Sequence, residues 1–220
     1  MKVFVGQTRD GKLIKELKGL GWGEMTQPKE LPPRRAPFAL DNYAFACFKA
    51  NKPWDAPRFI GALERCKVEK RAPEFVVAPD IVGGGVASLQ QSLLWRPWVQ
   101  SFGWPVYLPV QEGMTLDGIG GHLALFDGLF VGGASAEWKI RSAFWWTKLA
   151  HAHGKPCHVG RISGRERVRL TKAYGVDSID SCVPLWSEAN RNAVLLGLAD
   201  PPPEFDPPDP EQFLTGWETL

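Results

Sequence analysis

Short apolar runs alternate with longer amphipathic ones along most of this chain, and that alternation limits the fold more than any other feature. The apolar runs are KVFVG (2–6), PFAL (37–40), EFVVAP (74–79), VYLPV (106–110), GLFVGG (128–133), CHVG (157–160) and DSIDSC (177–182). Their length and β-branched or aromatic content mark them as strands. Between them, helical periodicity covers approximately 55–70, 86–101, 115–125, 138–153, 164–174 and 187–197. Strand–helix alternation implies parallel strands joined by right-handed crossovers. Seven strands are visible, and an eighth fits in 20–26 or in the tail. A (β/α)8 barrel, trimmed or incomplete, and a doubly wound open sheet both satisfy the pattern.

The chain has 220 residues, enough for one α/β domain with a real core. We assign 1–198 to that domain and 199–220 to a proline-rich acidic tail, ADPPPEFDPPDPEQFLTGWETL, whose prolines forbid a long helix. The tail reads as an extended arm on the surface or on a partner, or as partly disordered. The connection over 7–36 is less regular and rich in Gly, Pro, Lys and Arg. A formal net charge of +2 supplies no global basic field for nucleic acid or membrane. Cys47, Cys66, Cys157 and Cys182 form no C-x-x-C pair, which reads as reduced cytoplasmic thiols. The first residues carry too short an apolar run for a signal peptide, and no later run is long enough for a membrane span. Ten tryptophans stand out, and burial of helix faces against a sheet is their simplest role.

In either architecture the ligand site lies beyond the C-terminal strand ends. PFAL ends on Asp41, FVVAP on Asp80, VYLPV on Gln111 and Glu112, GLFV on Gly132-Gly133, and the last strand on Asp180. A lone Asp after a strand is by default the N-cap of the next helix, and a glycine pair is by default a turn. Five such endings on one rim nevertheless describe a pocket. Several acids there suit chemistry at a carbon bearing a leaving group, with one carboxylate attacking and another moving protons. IVGGGVAS after Asp80 lacks both the G-x-G-x-x-G spacing and the G-K-[ST] ending of a phosphate loop. Asp177 lies three residues before Asp180, so strand alternation turns it to the opposite side and gives it a structural role at the strand start. Among the histidines, His151 and His153 mark an exposed helix end, while His158 sits in a strand and faces either the pocket or the packing.

Taken in order, PFALDNYAFACF, EFVVAPD, VYLPVQEGM, GLFVGGASAEWK and KPCHVGRISGRERVRLTKAYGVDSIDSCVP resemble the tRNA-guanine transglycosylase superfamily. The resemblance spans about 36–186 and implies a β/α barrel. It implies Asp180 as the nucleophile at C1′ of a nucleotide and Asp41 as the second catalytic carboxylate. Asp80 and Gln111 would bond the purine, the Gly132-Gly133 backbone its carbonyl, and Phe45 would stack on its ring. Two departures matter. Cys182 is the sole cysteine after Asp180, so the zinc subdomain of the tRNA enzymes is not expected. Tyr43-Ala44 also replaces a glycine pair, which should narrow the pocket floor. A compact zinc-less chain is similar to the phage and bacterial branch that inserts 7-deazaguanine bases into DNA.

The expected activity is exchange of guanine in DNA for a 7-deazaguanine base, without metal or cofactor, in the cytoplasm (of the host cell, if phage-encoded). A target base must be flipped out or offered single-stranded, which calls for cations and flat groups near the rim. Arg161, Arg165, Arg167, Arg169 and Lys172 supply one basic cluster, and Lys29, Arg34 and Arg35 another; a solvated helix face explains the first equally well. Three rivals remain: an RNA-directed transglycosylase, a nucleosidase using water as acceptor, and a non-catalytic barrel that binds a purine or nucleic acid.

Overall fold

The computed structural model describes residues 1–209. Eight parallel strands close into a barrel in chain order, which decides between the two architectures. They are β1 (Lys2–Val5), β2 (Gly23–Thr26), β3 (Phe38–Leu40), β4 (Val76–Val77), β5 (Val106–Val110), β6 (Gly128–Val131), β7 (Cys157–Val159) and β8 (Ser178–Ser181). The eighth strand is β2, inside the 20–26 window. β8 closes the ring on β1, with Lys2 opposite Ser178 and Phe4 opposite Asp180.

The helices are α1 (Gly11–Gly19), α2 (Ala44–Lys49), α3 (Ala56–Val68), α4 (Gly85–Gln100), α5 (Leu116–Gly120), α6 (Ala136–Ala152), α7 (Arg165–Ala173) and α8 (Glu188–Ala199). Local chemistry starts several of them. The side chains of Asp10, Asp55, Thr115, Ser135 and Ser187 each accept a backbone N–H from the first turn of their helix. Helices α1 and α2 lie in stretches where no periodic signal was evident. Between β2 and β3 the described chain has only a 3-10 turn, Pro28–Glu30, in place of an α-helix.

A buried polar knot covers the side of the barrel left bare there. Arg35 donates to Val5 O and Gly6 O at 3.0 and 2.9 Å, and its guanidinium lies 3.6 Å from Glu24. Glu24 in turn accepts from Gln7 Nε2 and Thr26 Oγ1, both at 3.0 Å. Arg35 is therefore a fold residue and not part of a surface cluster with Lys29 and Arg34. Removing one partner of such a pair would leave a buried charge without its counter-ion.

Strand alternation splits the core into two layers. Outward residues such as Val3, Val5, Val76 and Leu108 join the helices in the larger cluster. Inward residues Phe4, Met25, Ala39, Phe75 and Val77 fill the lumen, with Tyr107 and Phe130 packed against them. Phe75 and Tyr107 stack at 4.2 Å, so the lumen is a solid aromatic plug and no pore. Truncating Phe75 to Ala would cost about 3–5 kcal/mol. Among the tryptophans, Trp138 and Trp146 are buried between helix and sheet, and Trp54, Trp95 and Trp98 pack edge to face. Among the described tryptophans Trp186 is the exception, 73% exposed.

The first part of the tail lies extended on the barrel's own surface. Phe205 enters an aromatic slot made by Phe144 and Tyr174, and Trp145 Nε1 donates to Pro208 O at 2.7 Å. The rest of the tail, 210–220, lies outside the described residues. No helix among the described residues is long and apolar enough to cross a membrane.

Candidate active site

All five rim endings meet at the C-terminal mouth of the barrel. Asp41, Asp80, Gln111, Gly132, Gly133 and Asp180 line one cavity of about 550 Å³ together with Phe45 and Arg161. Its floor is the aromatic plug, reached through Met25, Val77 and Phe130. A volume of this size lies within the usual range for a small-molecule site.

Asp180 sits on the lumen face of β8 and is 8% exposed. Its Oδ1 accepts from His158 Nε2 at 2.9 Å and from the Arg161 amide at 3.3 Å. No donor among the described residues reaches Oδ2 by hydrogen-bond criteria. Asp177, on the other side of β8, accepts from the Cys157 amide at 2.7 Å and pairs with His151 at 2.9 Å. It pins β8 to β7 from outside, as alternation requires.

Asp41 follows β3, and its Oδ1 accepts from the Tyr43 amide at 2.6 Å. Burial pushes its carboxyl up to about 7; the amide opposes this, and the charges of Asp180, Asp80 and Glu30 add to it. Near neutrality Asp41 therefore exists in both protonation states, the property of a proton carrier. Tyr43 itself adopts φ 71°, a conformation that favours glycine. The Tyr43 ring does not narrow the cavity floor as expected. It points outward, where Lys29 and Arg58 lie over it at 5.6 and 5.4 Å.

Asp80, at the end of β4, is almost fully enclosed. Asn42 Nδ2 donates to its Oδ1 at 2.7 Å, and Gln111 Nε2 makes a short bond to its Oδ2. Burial raises its carboxyl to about 6, against the pull of these two amides. Gln111 is fixed at its other end, where Oε1 accepts from the Gly83 and Gly133 amides at 3.1 and 3.0 Å. The Gly133 amide thus already has a partner, and its carbonyl accepts a short bond from Arg161. Gly132 leaves room for Gln111, since a Cβ there would stand 2.5 Å from Gln111 Nε2. Glu112 turns away from the cavity and accepts from the Ala134 and Ser135 amides ahead of α6.

Arg161 departs from the expected basic face. With φ 58°, it folds inward and lays its guanidinium 3.7 Å from the Phe45 ring centre, on the surface where a base was expected to stack. The rest of that cluster points elsewhere. Arg165 grips Asp200 at 2.6 Å, Arg169 donates to Pro201 O at 2.8 Å, and Lys172 caps α8 through Leu198 O at 2.6 Å. These three hold the tail and α8, while Arg167 is exposed. Arg165, Arg169 and Lys172 thus find intramolecular acceptors in the tail and at the end of α8.

Three further polar side chains surround the site beyond the strand-end residues. His158, whose strand position fits either the pocket or the packing, is completely buried in the lumen and bonded to Asp180. Asn42 links β3 to β4 through Asp80 and Ala78 O. Lys139, on α6, is 1% exposed and donates to Gly160 O at 2.8 Å. Burial drives its ammonium down to about 7; nearby Arg161 adds to the fall, and Asp180 and Glu112 oppose it. Its only early signal was its place in the GGASAEWK segment.

Fold and site together define a (β/α)8 barrel with an acid-lined pocket at its C-terminal mouth. No protein-family model matches the chain, and no curated protein matches it either.

Proposed function

We propose that this protein exchanges guanine in DNA for a 7-deazaguanine base, such as 7-cyano-7-deazaguanine, through a covalent Asp180–nucleotide intermediate. One observation carries the reading. Two carboxylates of opposite character share one cavity: Asp180 with an open oxygen, and Asp41 with its carboxyl pushed up to about 7.

In the first displacement, the open Asp180 oxygen bonds to C1′ and the C1′–N9 bond breaks. The electron pair leaves with guanine, and Asp41 in its acid form gives that ring a proton. In the second, N9 of the incoming deazaguanine attacks C1′, its proton passes to the Asp41 carboxylate, and Asp180 is released. Both carboxylates return to their starting forms, so the cycle closes with these two residues alone. The roles of Asp80 and Gln111 are to read the purine edge; the Gly132 and Gly133 amides are already donated to Val110 O and Gln111 Oε1, so Gly132 serves by leaving room for Gln111. Base entry displaces the Arg161 guanidinium from Phe45, whose ring then stacks on the base.

The cavity holds one base and lies below a rim, so a duplex base reaches it only when flipped out. Lys49 and the exposed Trp186 and Phe48 stand at or near that rim, a cation and two flat groups suited to an unstacked strand.

The test is incubation with guanine-containing DNA, matching RNA and labelled 7-deazaguanine, beside Asp180→Ala. Label entering DNA and lost in the variant is the expected result. Label entering only RNA keeps the chemistry and replaces the substrate. Release of guanine without label identifies a nucleosidase. Purine binding without turnover, equal in both proteins, overturns catalysis and leaves a binding barrel.

A further inference from the structure

His158 and Ser178 form a hydrogen-bonded chain with Asp180 that strand register creates. Ser178 and Asp180 are two apart on β8 and share its lumen face, and His158 stands opposite Ser178 on β7. The imidazole Nδ1 lies 2.8 Å from Ser178 Oγ, and Nε2 lies 2.9 Å from Asp180 Oδ1. Phe130 stacks on the ring at 4.9 Å and 12°, with Phe75 at 5.2 Å and Phe4 at 5.9 Å. The ring has no exposed surface, so it cannot rotate without unpacking the plug.

An ionised carboxylate only accepts, so Nε2 carries the hydrogen toward Asp180 and Nδ1 accepts from the Ser178 hydroxyl. The chain runs opposite to that of a serine hydrolase. Its serine lies at the far end and does not line the cavity, while the carboxylate faces the substrate space. A hydroxyl nucleophile is thereby disfavoured, and the imidazole serves the carboxylate.

We propose that His158, held in one tautomer by Ser178, is a positioning residue that fixes Asp180 with Oδ1 bound and Oδ2 open, making Oδ2 the attacking oxygen. This rests on the base-exchange reading for its kinetic consequence, but its geometric part does not need it. The same Nε2–H meets Oδ1 when the Asp180–C1′ ester breaks, and so favours departure of the carboxylate in the second displacement.

The experiment compares wild type with His158→Met, His158→Gln and Ser178→Ala. In His158→Met, kcat for base exchange should fall on the order of 10²-fold through misplacement of the carboxylate. KM should stay within about threefold, because the base contacts are untouched. Glutamine can return an N–H to the Nε2 position and should recover most of the rate; equal loss in Met and Gln would reduce His158 to packing and overturn the proposal. Nitrogen-15 NMR of wild type should find the proton on Nε2, and Ser178→Ala, the milder change to the core, should mix the tautomers. A proton on Nδ1 in wild type would also overturn it. Esterification of Asp180 by a small epoxide, followed by mass spectrometry, should slow in Met and recover in Gln. That readout and the tautomer need no nucleic acid. If wild type exchanges no base on DNA or RNA, the proposed function falls while these two results decide the role of His158.

Discussion

The β3–β5 sector and the β7–β8 sector of the mouth treat their carboxylates in opposite ways. Asp80 has both oxygens held by side-chain amides, and Gln111, which holds one of them, is itself held by two backbone amides. Asp180 is gripped on one oxygen only. Asp80 follows β4 and Asp180 lies within β8, yet both face the same cavity and both are buried. What separates them is hydrogen-bond saturation: a saturated carboxylate can present a fixed pattern to a ligand, and a half-saturated one can form a new bond. Under the proposed function, the Asp80–Gln111 pair reads and Asp180 reacts, while Asp41, beside the reading pair at the end of β3, moves the proton.

The sharpest way to break this division is Asp180→Ala, which should lower base exchange by roughly four orders of magnitude or more. Its thermal unfolding should match wild type, and a large loss of stability instead would make Asp180 a fold residue. Next comes Asp41→Asn, expected to slow exchange about 10²- to 10³-fold as a lost proton carrier. Stability should move the other way. A carboxyl raised from 3.8 to about 7 gives the folded state an advantage at low pH that is lost as pH climbs through about 7. The variant should therefore match wild type near pH 4 and melt higher at pH 8, as a pH series of calorimetric scans would reveal.

Gln111→Ala tests the reading pair. It strips Asp80 of one donor and the Gly83 and Gly133 amides of their acceptor, at a cost of about 2 kcal/mol in denaturant unfolding. Purine binding by calorimetry should weaken in parallel.

Lys139→Met bears on the β7–β8 sector through Gly160. The Lys139 ammonium is lowered from 10.5 to about 7, so wild-type stability should rise as pH increases above 7 toward 10.5. The variant should lack that rise and lose some exchange rate as the Gly160–Arg161 peptide loosens.

The smallest effect is expected from Arg165→Ala. Its partner is Asp200, so nucleic-acid affinity and its salt dependence should be unchanged. Arg161→Ala should alter both.

Much of this molecule was readable before folding. Seven of the eight strands and six of the helices lie where apolar period placed them, because alternation and helical stripes are local properties of adjacent residues. The strand-end rule also located Asp41, Asp80, Gln111, Gly132, Gly133 and Asp180 on one rim. It failed where the outcome depended on a distant partner. Arg165, Arg169 and Lys172 look like an open basic face until the tail arrives with Asp200 and the carbonyls of Leu198 and Pro201. Arg161 is an arginine of the same basic segment, yet with a positive φ it folds into the cavity.

The chain's local pattern alone thus determined most of the elements, their parallel order and the face on which acids collect. Barrel closure was beyond it, because β1 meets β8 only through pairing across the whole chain. So was the contrast between Asp80 and Asp180. Which polar groups are saturated is settled by side chains 20 or more residues apart, such as His158 with Asp180 and Gln111 with Asp80. No periodicity encodes those meetings; only packing brings them within hydrogen-bond distance.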